Sequence, residues 1–320
     1  MTGISGFLGT ALAESLLDEG YNIHGFLRRT SSEKPEDLLR MEHGVTLHFG
    51  NLMDSDSIRM ALREARPDII THLGAVTRVA ESFERPFEYM ETNALGTMNL
   101  AEAARKECPE LQKFVMASSV EVYGNQPEEL YPTKENILPN PDAPYAVAKQ
   151  CAESYLRFLW KSYKFPCIIF RQANTYGRTA DRFFVIERIV TQMLENPDTA
   201  SFGDPKPFRD FLYVNDLLGA YLNVLRSENV PFGEIFNIST AQPYSIEQVA
   251  NMVAQKLNWH GKIRWHTRPV RPGEIGKISA DNTKAFRTFG WKPTIGLPEG
   301  LDRTIKFWRE KLELEKTHAA

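Results

Sequence analysis

Apolar residues recur along the chain in alternating rhythms, one with helical spacing and one in short continuous runs, separated by glycine, proline and polar breaks. Leu8, Leu12 and Leu16 share one helical face, and Glu19-Gly20 stops that pattern. Tyr21-Asn22-Ile23-His24-Gly25-Phe26-Leu27 follows as a strand. Residues 45–52, 68–75 and 165–171 read as further strands. Val115-Met116-Ala117 runs into Ser118, Ser119 and Glu121, as expected at the carboxyl end of a buried parallel strand. Long helical patterns occupy 87–106 and 145–163. Strands alternating with helices predict an α/β fold, a Rossmann-type doubly wound parallel sheet. Beyond residue 171 the rhythm loosens and Pro, Gly and Arg become frequent, which predicts a smaller carboxyl-terminal α/β substrate lobe. The expected division is 1–170 plus about 212–240 for the dinucleotide-binding unit, and about 171–211 plus 241–320 for the lobe, with 311–320 as a frayed, charged tail.

Gly3, Gly6 and Gly9 open the first helical pattern, with Phe7 and Leu8 at its start. In that position they allow a tight turn, a close approach of a pyrophosphate to the backbone, and close packing of the helix on its sheet. Such a turn should follow a strand, yet only Met1 stands before Thr2; the expectation is that the sequence is clipped upstream rather than that the central strand is absent. Arg28 and Arg29 end the next strand where an NAD-preferring site would carry an acidic residue, so NADP is expected ahead of NAD. Asn51 and Leu52 are placed to touch an adenine ring. Leu73, Gly74 and Ala75 form the tip of a strand over which the cofactor would lie, and His72 within the apolar run is expected to be a satisfied core histidine.

A tyrosine and a lysine four apart, Tyr145 and Lys149, share one helical face, where the ammonium is expected to favour phenolate and bring the phenol toward neutrality as a general base. Ser119 at a strand end completes a proton-handling trio. Arg209 and Arg271 sit in tight polar-apolar clusters in the carboxyl-terminal part and are suited to grip a diphosphate.

Composition narrows the partners. The 320-residue chain has a formal net charge of −3, which gives no electrostatic reason to expect nucleic acid or an anionic membrane. Cys108, Cys151 and Cys167 have no metal-ligand spacing and read as small buried hydrophobes, so no metal is expected and a cytoplasmic setting is. No apolar run reaches the ~20 residues of a membrane span. The helices at 87–106 and 145–163 carry more apolar surface than one core contact uses, and a homodimer through a four-helix interface is expected.

Taken together, Thr2-Gly3-x-x-Gly6-x-x-Gly9, Tyr145-x-x-x-Lys149, Arg209-Asp210-Phe211, Arg271-Pro272-Gly273-Glu274 and Gly290-Trp291-Lys292-Pro293 resemble the extended short-chain dehydrogenases/reductases that modify nucleotide sugars. Gly20-Tyr21, His24-Gly25, Arg28-Arg29-Thr30-Ser31-Ser32 and Ser82-Phe83-Glu84-x-Pro86 are most similar to the GDP-mannose 4,6-dehydratase branch. The resemblance implies that Ser119 binds the sugar C4 oxygen, Tyr145 takes its proton and Lys149 holds the nicotinamide ribose. It also implies Glu121 as the base at C5, and Val76, Ser119, Val120, Asn174, Arg209 and Arg271 around the nucleotide-diphosphate sugar. The first expectation is therefore an NDP-hexose 4,6-dehydratase that returns its hydride internally. Val120 departs from the aspartate or serine of the dehydratases and can donate no proton to a departing hydroxyl, which suits a 4-epimerase or 4-keto reductase instead. A dinucleotide-sensing protein without chemistry would have lost Tyr145 or Lys149, and both are present.

Overall fold

Residues 1–28, 44–177 and 182–319 are described by the computed structural model of the chain, the side chains of 318 and 319 excepted. Arg29 and Arg178 lie outside the described residues. Four parallel strands, β3 (Ile69–His72), β4 (Lys113–Ser119), β5 (Cys167–Gln172) and β9 (Glu234–Ile238), stand side by side in that order. A second parallel pair, β1 (Ile23–Leu27) and β2 (Val45–Phe49), joins them through Thr2, which bridges Phe26 on one side and His72 on the other. The amide of Phe26 donates to Met1 O (2.8 Å), Thr2 N to Thr71 O (3.1 Å) and Leu73 N to Thr2 O (3.3 Å). Met1-Thr2 thus lies between the two groups of strands, paired on both sides, in the place where the strand before the glycine turn is expected.

All seven residues of Lys113–Ser119 are buried, which is why this segment reads as a continuous apolar run rather than an alternating one. Period-two alternation is nonetheless visible in where each side chain goes. Val115, Ile168 and Phe170 enter one core layer, with Leu12 of the helix Phe7–Asp18 and Leu217 of the helix Val214–Arg226. Phe114, Met116 and Ile169 enter the other, with Leu100 of the helix Gly96–Glu107 and Leu156 of the helix Pro144–Tyr163. Helices therefore cover both faces of the sheet, as the doubly wound expectation requires. Ser118 and Ser119 lie at the open carboxyl edge of that sheet.

The helical pattern at 87–106 is three pieces: Pro86–Tyr89, a π-helical turn Met90–Leu95, and Gly96–Glu107. Past β5 come the short strands β6 (Asn174–Tyr176), β8 (Phe208–Tyr213) and β10 (Pro243–Ser245), with β8 in the middle, and a parallel pair β7 (Thr199–Ser201) and β11 (Lys262–Arg264). The frayed tail expected at 311–320 is not observed, because the helix Leu297–Ala319 runs through it. Leu301, Ile305, Trp308 and Leu312 form one buried stripe at helical spacing and anchor it. The three cysteines are unpaired, and among the described residues no helix is long and apolar enough to cross a membrane.

Candidate active site

The glycine turn is shaped by contact. Gly3 has φ +69°, and a Cβ there would lie 2.7 Å from the amide nitrogen of Gly74. A Cβ on Gly9 would fall 2.0 Å from Gly3 O, so the helix Phe7–Asp18 can approach the turn only without a side chain at that position. Gly6 caps this helix with no side-chain hydrogen bond, which leaves the positive end of the helix for an anion. Phe7 and Leu8, half-buried, flank that end. Opposite it, Thr2 Oγ1 accepts from Gly74 N (3.0 Å), and Asn93 grips both the amide (2.8 Å) and the carbonyl (2.9 Å) of Val76. Leu73, Gly74, Ala75 and Val76 are therefore held along the edge of the turn. These residues fit a dinucleotide whose pyrophosphate meets the helix end.

Arg28 is exposed directly after β1. Asn51 uses its side-chain oxygen on the Met53 amide (3.0 Å), and Leu52 is buried against Gly96, so the turn that should face an adenine is tied to its own backbone and to the core. His72 is a structural group as expected: its ring nitrogens meet Thr2 Oγ1 (2.7 Å) and Thr97 Oγ1 (2.8 Å). Burial lowers its pKa to about 3, with the charge of Lys149 acting in the same direction.

Ser119, Tyr145 and Lys149 converge at the carboxyl end of β4. Tyr145 and Lys149 come from the start of Pro144–Tyr163, whose proline stands at the first helical position and whose chain enters from extended Ala143. Tyr145 is hydrogen-bonded with Ser119, and Ser119 Oγ accepts from the Glu121 amide (3.2 Å). Lys149 Nζ donates to Ala117 O (2.8 Å) and lies 5.9 Å from the Tyr145 ring centroid. The buried ring of Tyr89 meets that of Tyr145 in a T-shaped arrangement, the centroids 6.3 Å apart.

One electrostatic expectation is corrected. The phenol of Tyr145 is pushed up rather than down, because burial of the would-be anion outweighs the hydrogen bond from Ser119, and Glu121 adds a repulsive charge. Lys149 meanwhile is lowered to about 8 by its own desolvation, opposed by Glu153. An ammonium so placed is a sensitive proton-holding group, and the phenol needs additional positive charge to ionise near neutrality.

A second cluster faces this trio. Arg209, nearly buried, donates to Ile275 O (2.8 Å) and Phe208 O (2.9 Å) and pairs with Glu274. Burial pulls its pKa down, and the carboxylates of Glu121 and Glu274 oppose this. Arg271 Nε binds the other Glu274 oxygen (2.9 Å), and its Nη2 reaches to 3.6 Å from Glu121 Oε2. That Glu121 oxygen is buried and accepts no hydrogen bond within the described residues. Asn174 stands close by in β6, with its side-chain oxygen buried and likewise without a partner. Val120, expected at the substrate, is instead packed into the main core at 2 % exposure, since the 3-10 turn Val120–Tyr123 turns it inward.

Sequence reasoning left three participants off its site. Glu274 carries both arginines, and its signal was the Arg271-x-x-Glu274 spacing. Glu153 and Arg171 form a buried ion pair next to Lys149; an arginine inside an apolar strand and a glutamate four residues past Lys149 were legible hints.

The family model described as GDP-mannose 4,6 dehydratase matches residues 1–304. A UDP-glucose 4-epimerase of Mycolicibacterium smegmatis is 32% identical over 97% of this chain and 98% of its own. Among solved structures, the UDP-glucose 4-epimerase of Thermotoga maritima with UDP-glucose superposes with a TM-score of 0.89 at 29% identity, covering 97% of this chain and 98% of that one. The Thermus thermophilus UDP-glucose 4-epimerase in complex with NAD has a TM-score of 0.86 at 30% identity, covering 96% and 97%.

Proposed function

Because the chain belongs to the nucleotide-sugar epimerase/dehydratase family of the extended short-chain dehydrogenases/reductases, we propose that it oxidises the C4 alcohol of a nucleoside-diphosphate sugar and returns the hydride to C4, as a 4-epimerase. The observation that carries this reading is the trio of Ser119, Tyr145 and Lys149 at one strand end beside the glycine turn. Gly3, Gly6, Phe7, Leu8 and Gly9 would hold the dinucleotide's pyrophosphate; Asn51 and Leu52 would face its adenine, and Leu73, Gly74 and Ala75 would line its path. When bound, the nicotinamide dinucleotide supplies the hydride acceptor and a further positive charge. Arg28 favours the NADP form.

Ser119 holds the C4 oxygen while Tyr145 takes its proton, and the Lys149 ammonium stabilises the phenolate that this requires. Arg209 and Arg271 exchange Glu274 for the diphosphate, with Asn174 and Val76 beside it. After oxidation the keto sugar presents its other face, and Tyr145 gives its proton back. Val120 supports this outcome over dehydration, since a buried aliphatic side chain offers nothing to a departing hydroxyl.

A second reading, a 4,6-dehydratase, is favoured by Glu121, a buried carboxylate whose charge acts on Tyr145. It would remove the C5 hydrogen of the keto sugar. A panel of GDP-, UDP-, dTDP- and CDP-sugars in heavy water, with NAD or NADP, separates the two. Epimerisation leaves product mass unchanged and puts no deuterium at C5, whereas dehydration removes the mass of one water and labels the carbon skeleton. Tyr145→Phe should lower kcat by roughly 10²–10⁴-fold with little change in sugar affinity. Turnover at the wild-type rate in that variant would end both readings.

The enzyme would act in the cytoplasm as a homodimer through helices Gly96–Glu107 and Pro144–Tyr163. Support comes from Phe158 and Tyr163 of the second helix and from Phe87 and Leu95 of the turns that lead into the first, apolar side chains left exposed.

A further inference from the structure

Behind the reaction centre lies a buried charge pair with no place in the chemistry above. Glu153 and Arg171 are each 2 % exposed. Glu153 Oε1 accepts from Ser118 Oγ and from Arg171 Nε (3.0 Å), and its Oε2 accepts from Arg171 Nη2 (2.6 Å). Arg171 in turn stacks on Tyr123, 4.6 Å from the ring centroid, and Tyr123 donates to Asn237 Oδ1 (2.7 Å). One carboxylate thus ties a helix to two neighbouring strands.

The position of that tie matters. Glu153 follows Lys149 by one helical turn and Tyr145 by two, on the same face. Ser118 lies between Ala117, whose carbonyl receives Lys149 Nζ (2.8 Å), and Ser119, which is hydrogen-bonded with Tyr145. Every contact between helix and strand that assembles the reactive trio is therefore within one residue or one turn of the Glu153 link. Apolar side chains could fill such a space with no loss of stability. What they could not supply is a directional bond at two oxygens, or a negative charge near the ammonium.

We propose that Glu153, held by Arg171 and Ser118, is a positioning residue that sets the register of the Tyr145/Lys149 helix against Ser119 and serves as the fixed counter-charge of Lys149. This rests on the C4-oxidation reading for its effect on turnover, though not for its effect on Lys149 itself. The titratable groups acting around Lys149 are His72 from β3, and Tyr145 and Glu153 from its own helix; Arg171 and Tyr123 face Glu153 from β5 and from the turn after β4. Of these, Glu153 is the group whose charge favours the ammonium.

The test uses the full chain with 13C-labelled lysine, the Lys149 signal being identified by its loss in Lys149→Met. In Glu153→Gln the Lys149 titration should move to lower pH by about one unit, the size expected when a nearby opposite charge is removed. In the same variant kcat should fall about a hundredfold through misplacement, with the sugar KM changed little. Glu153→Asp keeps the charge and should restore the titration while leaving kcat low, since the shorter arm cannot reach both partners. Should Glu153→Gln fail to fold with an unpaired Arg171, Glu153→Gln/Arg171→Met removes both charges and should still lower the titration. A Lys149 signal that titrates as in the wild type in a folded variant overturns the proposal. If the titration moves but the wild type turns over no nucleotide sugar, the proposed reaction falls and the counter-charge role stands.

Discussion

Replacing Lys149 by methionine should convert a pH-dependent cost into a pH-independent one. Lys149 is 3 % exposed and titrates at about 8 in the folded chain, against an ordinary value of 10.5. Folding therefore disfavours its charged form, and the unfolded chain binds the extra proton between those two values. Stability of the wild type is lowest, as far as this group is concerned, below pH 8, and it recovers as pH rises toward 10.5. At ~1.36 kcal/mol per unit, the full cost below pH 8 is roughly 3 kcal/mol. From pH 7 to pH 9.5 about 2 kcal/mol of it is regained. Lys149→Met, which shares every other titrating group, shows no such recovery. The difference in unfolding free energy between wild type and variant should thus shift by about 2 kcal/mol in favour of the wild type over that interval, whatever the packing of the methionine contributes as a constant offset. Urea unfolding of the ligand-free protein at half-unit steps, with equal m-values checked at each pH, measures this. A difference that stays flat from pH 7 to 9.5 would refute the reasoning, because it would mean the ammonium is solvated in the folded state.

Two further outcomes follow from buried geometry. His72 is held neutral with a pKa of about 3, so its contribution to stability is present above pH 6.5 and is lost as pH falls toward 3. Between pH 6.5 and 4.5 the wild type should lose about 2 kcal/mol more than His72→Gln does, read by urea unfolding; parallel losses would show that the ring is accessible to protons. Gly9→Ala places a methyl carbon 2.0 Å from Gly3 O and must push the first helix off its turn. Dinucleotide affinity, measured by fluorescence or calorimetric titration, should fall at least tenfold, the effect of about 1.4 kcal/mol, and unchanged binding would mean that the cofactor does not use this turn.

Much of the architecture was already written in residue patterns. The glycine spacing, the buried run ending in Ser118-Ser119 and the Tyr145/Lys149 pair are local signals, because helix and strand periods decide which side chains can share a face. They located the doubly wound sheet and the trio. Arg209 and Arg271 were identified as a pair, although the carboxylate that joins them, Glu274, was passed over within its own motif.

Other properties belong to three-dimensional packing alone. The pairing of Met1-Thr2 on both sides depends on backbone groups that β1 and β3 offer from far along the chain. The inward turn of Val120, the helical course of the last residues and the ion pair of Glu153 with Arg171 each depend on partners far away in the chain. The direction of the Tyr145 shift is the sharpest instance. A neighbouring lysine predicts an acidic phenol, yet the cost of removing an anion from water is set by everything packed around it, and here that cost exceeds the local attraction. Spacing along a helix determines which groups meet; the dielectric in which they meet is decided by the whole fold.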